Sequence, residues 1–87
     1  MKNFNNKILN EIINLIQQSK ENFFFYVSNG ILNTEGKKLQ ILIIRKYSVL
    51  FKDKKYWIYI RKNKEEDFLR MLNYMEKDIE NYLQQIK

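Results

Sequence analysis

The chain has no cysteine and no histidine. Those two absences exclude a disulfide, a thiolate nucleophile, a Cys/His zinc site and an imidazole acid/base, and with them most familiar catalytic constellations. Proline and alanine are also missing, and the only glycines are Gly30 and Gly36. Disordered tails tend to be proline-rich and poor in rings. With 45% apolar and 15% aromatic residues, this chain is expected to fold. Long apolar runs are absent too. Runs such as Phe23 to Val27 and Ile41 to Ile44 fall far short of the ~20 residues that a bilayer helix needs. Nor does the N-terminus carry an uninterrupted apolar stretch of signal-peptide length. The expectation is a cytoplasmic protein with no membrane segment. Eighty-seven residues suffice for one hydrophobic core, hence a single domain over 1–87.

What is present is basic. Thirteen Lys, eleven Asn and twelve Ile suggest an AT-rich coding bias, so the placement of charge says more than its amount. Residues 35–64 hold ten basic residues against Glu35 and Asp53, a net +8, whereas residues 65–87 carry a net −3. Compositional drift would spread lysine evenly. This segregation is what a basic binding face beside an acidic helix produces.

Residues 4–19 read as an amphipathic helix, with Phe4, Ile8, Leu9, Ile12, Ile13, Leu15 and Ile16 on one half of a helical wheel. The ring-rich run Phe23 to Val27 reads as a strand covered on both faces. Ser28-Asn29-Gly30 supplies a turn before a short strand at Ile31-Leu32, and Asn33 to Gly36 supplies a second turn. Residues 38–47 and 49–51 read as strand, Asp53-Lys54 as a tight turn and Tyr56 to Arg61 as the returning strand. A last helix is expected over 64–85, with Asn63 as N-cap and Glu66 as its capping-box partner. The predicted class is α+β: an N-terminal helix, a three- to four-stranded antiparallel sheet and a long C-terminal helix. The buried set would be Ile8, Ile12, Ile41, Ile43, Ile58, Ile60, Phe68, Leu72 and Ile79. Phe68, Leu72, Met75, Ile79, Tyr82 and Ile86 repeat at spacings of four and three. Such a stripe either lies across the chain's own sheet or forms the interface of a homodimer.

Catalysis has little to work with. Glu65/Glu66/Asp67 and Glu76/Asp78/Glu80 sit where capping and solvation explain them, no phosphate loop surrounds either glycine, and no ligand spacing points to a metal or other cofactor. The chain reads as a non-enzymatic binding protein. Its informative stretch interleaves rings and cations: Arg45, Tyr47, Lys52, Lys54, Lys55, Trp57, Tyr59, Arg61 and Lys62. On a strand, Trp57, Tyr59 and Arg61 would share one face, either free for bases to stack while cations follow the phosphates, or covered by the N-terminal helix. Single-stranded DNA or RNA is the partner expected for the free face.

Ile41 to Tyr47, Tyr56 to Ile60 and Lys64 to Leu72 also resemble a family, the positive-cofactor-four coactivators and their PUR-domain relatives. Ile44-Arg45-Lys46-Tyr47, Ile58-x-Ile60 and Glu66-Asp67-Phe68-x-x-Met71-Leu72 occupy the places of that pattern over about residues 22–80. Tyr56-Trp57 stand where it has Lys-Gly, and the helix over 4–19 is an addition. The resemblance implies a four-strand sheet followed by one helix, dimerisation, and single-stranded nucleic acid bound through the sheet, with Arg45 and Tyr47 in contact. A second reading belongs to another class. Small, charged, AT-rich chains without a catalytic motif also resemble phage and mobile-element inhibitors of the anti-CRISPR kind, which occupy the surface of a protein target.

Overall fold

The computed structural model describes residues 6–51 and 56–85. In chain order these form α1 (Asn6–Glu21), α2 (Phe23–Tyr26), β1 (Val27–Ser28), β2 (Ile31–Leu32), α3 (Thr34–Phe51), α4 (Trp57–Lys62) and α5 (Glu65–Gln85). The fold is mostly helical, with a small two-stranded antiparallel sheet.

The two end helices follow from their spacing. Leu9, Ile12, Ile16 and Ser19 recur every three or four residues on α1 and are all buried. Ser19 turns its hydroxyl back onto the Leu15 carbonyl at 2.7 Å, so the one polar group on that face stays satisfied. On α5 the buried face is Phe68, Met71, Leu72, Met75 and Ile79. α1 packs chiefly on α5, and Lys20 Nζ lies 2.7 Å from Glu76 Oε1 at the edge of that contact. Each fully buried apolar side chain contributes roughly 1.5–3 kcal/mol. The proposed dimer stripe is therefore taken up within the chain. Phe68, Leu72, Met75 and Ile79 are fully buried in its own core and Tyr82 packs partly buried against it, while Ile86 lies outside the described residues.

The middle departs from expectation. Instead of a strand from Phe23, the chain makes one helical turn, with the Phe25 and Tyr26 N–H groups both bonded to the Asn22 carbonyl. Phe23 and Tyr26 then share a side, three residues apart, and both rings meet Phe68 at centroid distances of 6.3 and 6.2 Å. The following hairpin is as expected. Val27 pairs with Leu32 and Ser28 with Ile31 across Asn29 and Gly30, whose φ values of 54° and 75° are those of a two-residue turn matched to strand twist.

Residues 38–47 and 49–51, expected as strands, belong to α3 instead. The supposed turn at Asn33 to Gly36 is the start of that helix. Asn33 Oδ1 accepts the Gly36 N–H at 2.8 Å, and the Asn33 carbonyl accepts the Lys37 N–H at 2.8 Å. Burial then recurs at Gly36, Gln40, Ile43 and Ile44, a helical period, while Glu35, Lys38, Leu42, Arg45 and Lys46 face outward. Gly36 is required by proximity. A Cβ there would lie 2.6 Å from both Leu32 Cδ1 and the Tyr26 carbonyl oxygen.

The expected strand from Tyr56 to Arg61 is likewise helical, as α4. Tyr56 and Tyr59, three residues apart, turn inward, and Ile58 is left 52% exposed. The Tyr56 hydroxyl donates to Asp78 on α5, and Gln40 Nε2 on α3 donates to the Tyr59 carbonyl at 3.2 Å. α4 thus ties α3 to α5. The Asp53-Lys54 turn lies outside the described residues. Asn63 closes α4 rather than opening α5. Its backbone is left-handed at φ 53°, ψ 40°, and its N–H bonds back to the Tyr59 carbonyl. The first α5 bond instead runs from the Phe68 N–H to the Lys64 carbonyl. Asn63 Oδ1 is buried without a hydrogen-bond partner among the described residues, so it caps nothing there.

Two strands are the whole sheet among the described residues. The three- to four-stranded antiparallel sheet expected from the sequence, and the four-strand sheet that the coactivator resemblance implies, are replaced there by α3 and α4. Of the expected core, Ile12, Ile43, Phe68, Leu72 and Ile79 are buried and Ile41 and Ile60 partly so, whereas Ile8 and Ile58 are exposed.

Candidate nucleic-acid interface

Helical geometry redistributes the residues assigned to one sheet face. Alternate residues on a helix lie 200° apart, so Trp57 and Tyr59 part company, while Trp57 and Arg61, four apart, share a side. Tyr59 is only 7% exposed, with its ring centroid 6.5 Å from that of Tyr74, and offers no open face to a base. Trp57 is half-buried against the core, and Arg61 is exposed. Lys62 is exposed and lies 3.8 Å from the buried carboxylate of Asp67. Arg45 is exposed on α3 next to Lys46, and Tyr47 follows on the same helix. Lys52, Lys54 and Lys55 lie outside the described residues. The row Trp57, Tyr59, Arg61 therefore does not form.

Another set comes together between α2 and α3. Because Phe23 and Tyr26 use the inward side of the single turn, Phe24 and Phe25 point outward, 86% and 66% exposed. Asn33 holds this turn against the start of α3. Its side-chain amide donates to the Phe25 carbonyl, and its own N–H donates to the Tyr26 carbonyl at 2.8 Å. The result is an open groove of about 530 Å³ lined by Phe25, Tyr26, Glu35, Lys38, Leu39 and Leu42. Lys38 Nζ stands 3.9 Å from Glu35 Oε1 across its rim, and Leu42 is 53% exposed. Arg45 and Lys46 continue the outward stripe of α3 beyond it.

No family model, curated protein or solved structure matches this chain.

A smaller concavity of about 240 Å³ lies on the other side of Lys38, lined by Leu32, Asn33, Thr34, Lys37, Lys38, Ile41 and Asn63. Desolvation there holds the Lys37 ammonium below the usual lysine range. Among the described residues no group of three or more His, Cys, Asp or Glu is placed to hold a metal ion, and no helix is long and apolar enough to cross a membrane.

Phe24, Phe25, Lys38 and Leu42 were not singled out by the sequence reading. A signal for them existed. Four consecutive rings cannot all be buried by one turn of helix, so Phe23 and Tyr26 facing inward at i, i+3 leaves the other two outside.

Proposed function

We propose that the chain is a non-enzymatic binding protein that takes single-stranded nucleic acid on the outer face of α2 and α3. The observation that carries this reading is the exposed pair Phe24 and Phe25, of which Phe25 shares the groove with Lys38, next to a helix α3 whose outward cations Lys38, Arg45 and Lys46 belong to the segment of net charge +8. Rings and cations divide the work. Every base has a π-face, so stacking on phenylalanine is tolerant of sequence and contributes roughly 1–3 kcal/mol per base. The cations neutralise phosphates and release counterions, which makes binding salt-dependent. Lys38 and Arg45 are seven residues apart, about 10 Å along the helix axis, so they follow a backbone rather than grip one phosphate. The net −3 of residues 65–87 disfavours a polyanion along α5.

The test is a titration of short single-stranded oligonucleotides at several salt concentrations, read by anisotropy. With three phosphate contacts, log affinity should fall with log salt at a slope of about −2. Phe25→Ala should weaken binding by roughly 1–3 kcal/mol at an unchanged slope, because stacking releases no counterions. Lys38→Gln or Arg45→Gln should flatten the slope. Absence of affinity at low salt would remove this reading and favour an inhibitor-like protein contact through Phe24, Phe25 and Leu42.

A further inference from the structure

We infer that the α2–α3 groove discriminates between bases, favouring those that present an exocyclic amine, and that Glu35 is the discriminating residue. The inference rests on single-strand binding by this face. It begins from an anomaly of charge. Residues 35–64 contain ten basic residues, and Glu35 is the one acid among them that the structure describes. It stands at the rim of the groove, one turn from Leu39, two turns from Leu42 and within 3.9 Å of Lys38. The first turn of α3 accommodates an acid, because the helix dipole is positive at that end, yet a surface that holds only phosphates is weakened by it, since like charges repel.

An ionised carboxylate only accepts hydrogen bonds, so it needs donors. Lys38 supplies one at a distance too long for a good hydrogen bond, and both side chains are largely exposed. A base lying on the Phe25 ring over the apolar Leu39 and Leu42 side chains turns its edge toward that rim. The groove's volume of about 530 Å³ is within the range that holds a small planar ligand. Cytosine offers its N4 amine there, a contact that Glu makes with cytosine elsewhere. Thymine offers O4, an acceptor, and sets oxygen against oxygen. Cytosine and thymine have nearly the same ring size, so stacking and phosphate contacts cancel in the comparison. What remains is the edge.

The experiment compares oligo(dC) with oligo(dT) of equal length at one salt concentration, for the wild type, Glu35→Gln and Glu66→Gln. Glu66 is an exposed acid of α5, away from the groove, and serves as the reference. The wild type should prefer oligo(dC) by roughly fivefold, the scale of one exposed charge-assisted hydrogen bond. Glu35→Gln should abolish that preference, because an amide both donates and accepts, and should tighten oligo(dT) binding; Glu66→Gln should keep the preference. Equal affinity of the wild type for both oligonucleotides, or a preference that survives Glu35→Gln, overturns the inference and leaves single-strand binding intact. Failure of the wild type to bind either at low salt overturns both. Glu35 is exposed, so loss of folding is not expected, and circular dichroism of the variant checks it.

Discussion

Helices α1 and α5 and the middle helix α3 are built on the same burial rule, but their sequences display it differently. In α1 the buried Leu9, Ile12 and Ile16 are separated by Asn10, Glu11 and Asn14 and followed by Gln17, so the period of 3.6 is visible as an alternation of apolar and polar residues. In α3 the run Leu39, Ile41, Leu42, Ile43, Ile44 is broken only by Gln40, and that polar residue is buried together with Ile43 and Ile44 while Leu42 is exposed. Apolar runs rich in isoleucine fit a covered strand and a packed helix equally well. Tertiary contact decides between them. Here it does so through Asn33, which caps the helix, and Gln40, which reaches the Tyr59 carbonyl.

Deleting a ring or a side chain on each side of this contrast gives the largest expected effects. Phe68 is fully buried and meets Phe23 and Tyr26, so Phe68→Ala should destabilise by about 3–5 kcal/mol in urea denaturation. Ile58 faces solvent on α4, and Ile58→Ala should cost less than ~1 kcal/mol. A strand over Tyr56 to Arg61 would bury Ile58 and reverse that expectation. A cost of about 2–5 kcal/mol at Ile58 would therefore restore the sheet and undo the helical assignment of α4.

Gly36 sharpens the same contrast at smaller scale. In an exposed helix, Gly→Ala gains up to ~1 kcal/mol from propensity. At Gly36 the added carbon meets Leu32 Cδ1 and the Tyr26 carbonyl oxygen at 2.6 Å, so overpacking should win and Gly36→Ala should cost about 1–3 kcal/mol. Stabilisation by this substitution would show that α3 does not approach α2 and the hairpin as closely as it does here.

The legible parts of this molecule are those whose signals are local. Helix α1, the hairpin at Asn29-Gly30 and helix α5 each announce themselves within a few residues, and each forms close to its expected bounds. The candidate site was legible as a net charge and as a run of four rings too many for one turn to bury, but not as a particular surface. Assigning Trp57, Tyr59 and Arg61 to one face depended on a period of two, and changing the period to 3.6 sent Tyr59 into the core. The Phe24 and Phe25 surface exists because Phe68, more than forty residues later, takes the other side of their turn. No window of sequence contains that fact.

Asn63 gives an intermediate effect whose sign separates two local readings. As an N-cap it would tolerate Ser or Asp and lose a few tenths of a kcal/mol on change to Gly. In the left-handed conformation it adopts, Gly is the residue that fits with least strain. Asn63→Gly should therefore be neutral or stabilising, and Asn63→Ser should cost about 1 kcal/mol. Thermal unfolding of the two variants side by side is sufficient. The opposite order would make Asn63 the first cap of α5.

The smallest expected effect concerns Lys37, which shares its concavity with Asn63 and marks where α3 is least exposed on its basic side. Desolvation lowers its pKa below the usual 10.5, so the folded chain gives up this proton more readily than the unfolded one. At neutral pH both states are protonated and the cost of burying the charge is present in full. As pH rises through the folded value toward 10.5, the unfolded state holds more of this proton and stability rises relative to a variant without the group. The difference in stability between wild type and Lys37→Gln should therefore move in the wild type's favour on going from neutral to alkaline pH. Measuring the difference cancels the other lysines and tyrosines, which titrate in the same range in both proteins. A difference that does not change with pH would mean that Lys37 is as well hydrated in the fold as outside it, and that α3 presents its whole basic side to solvent.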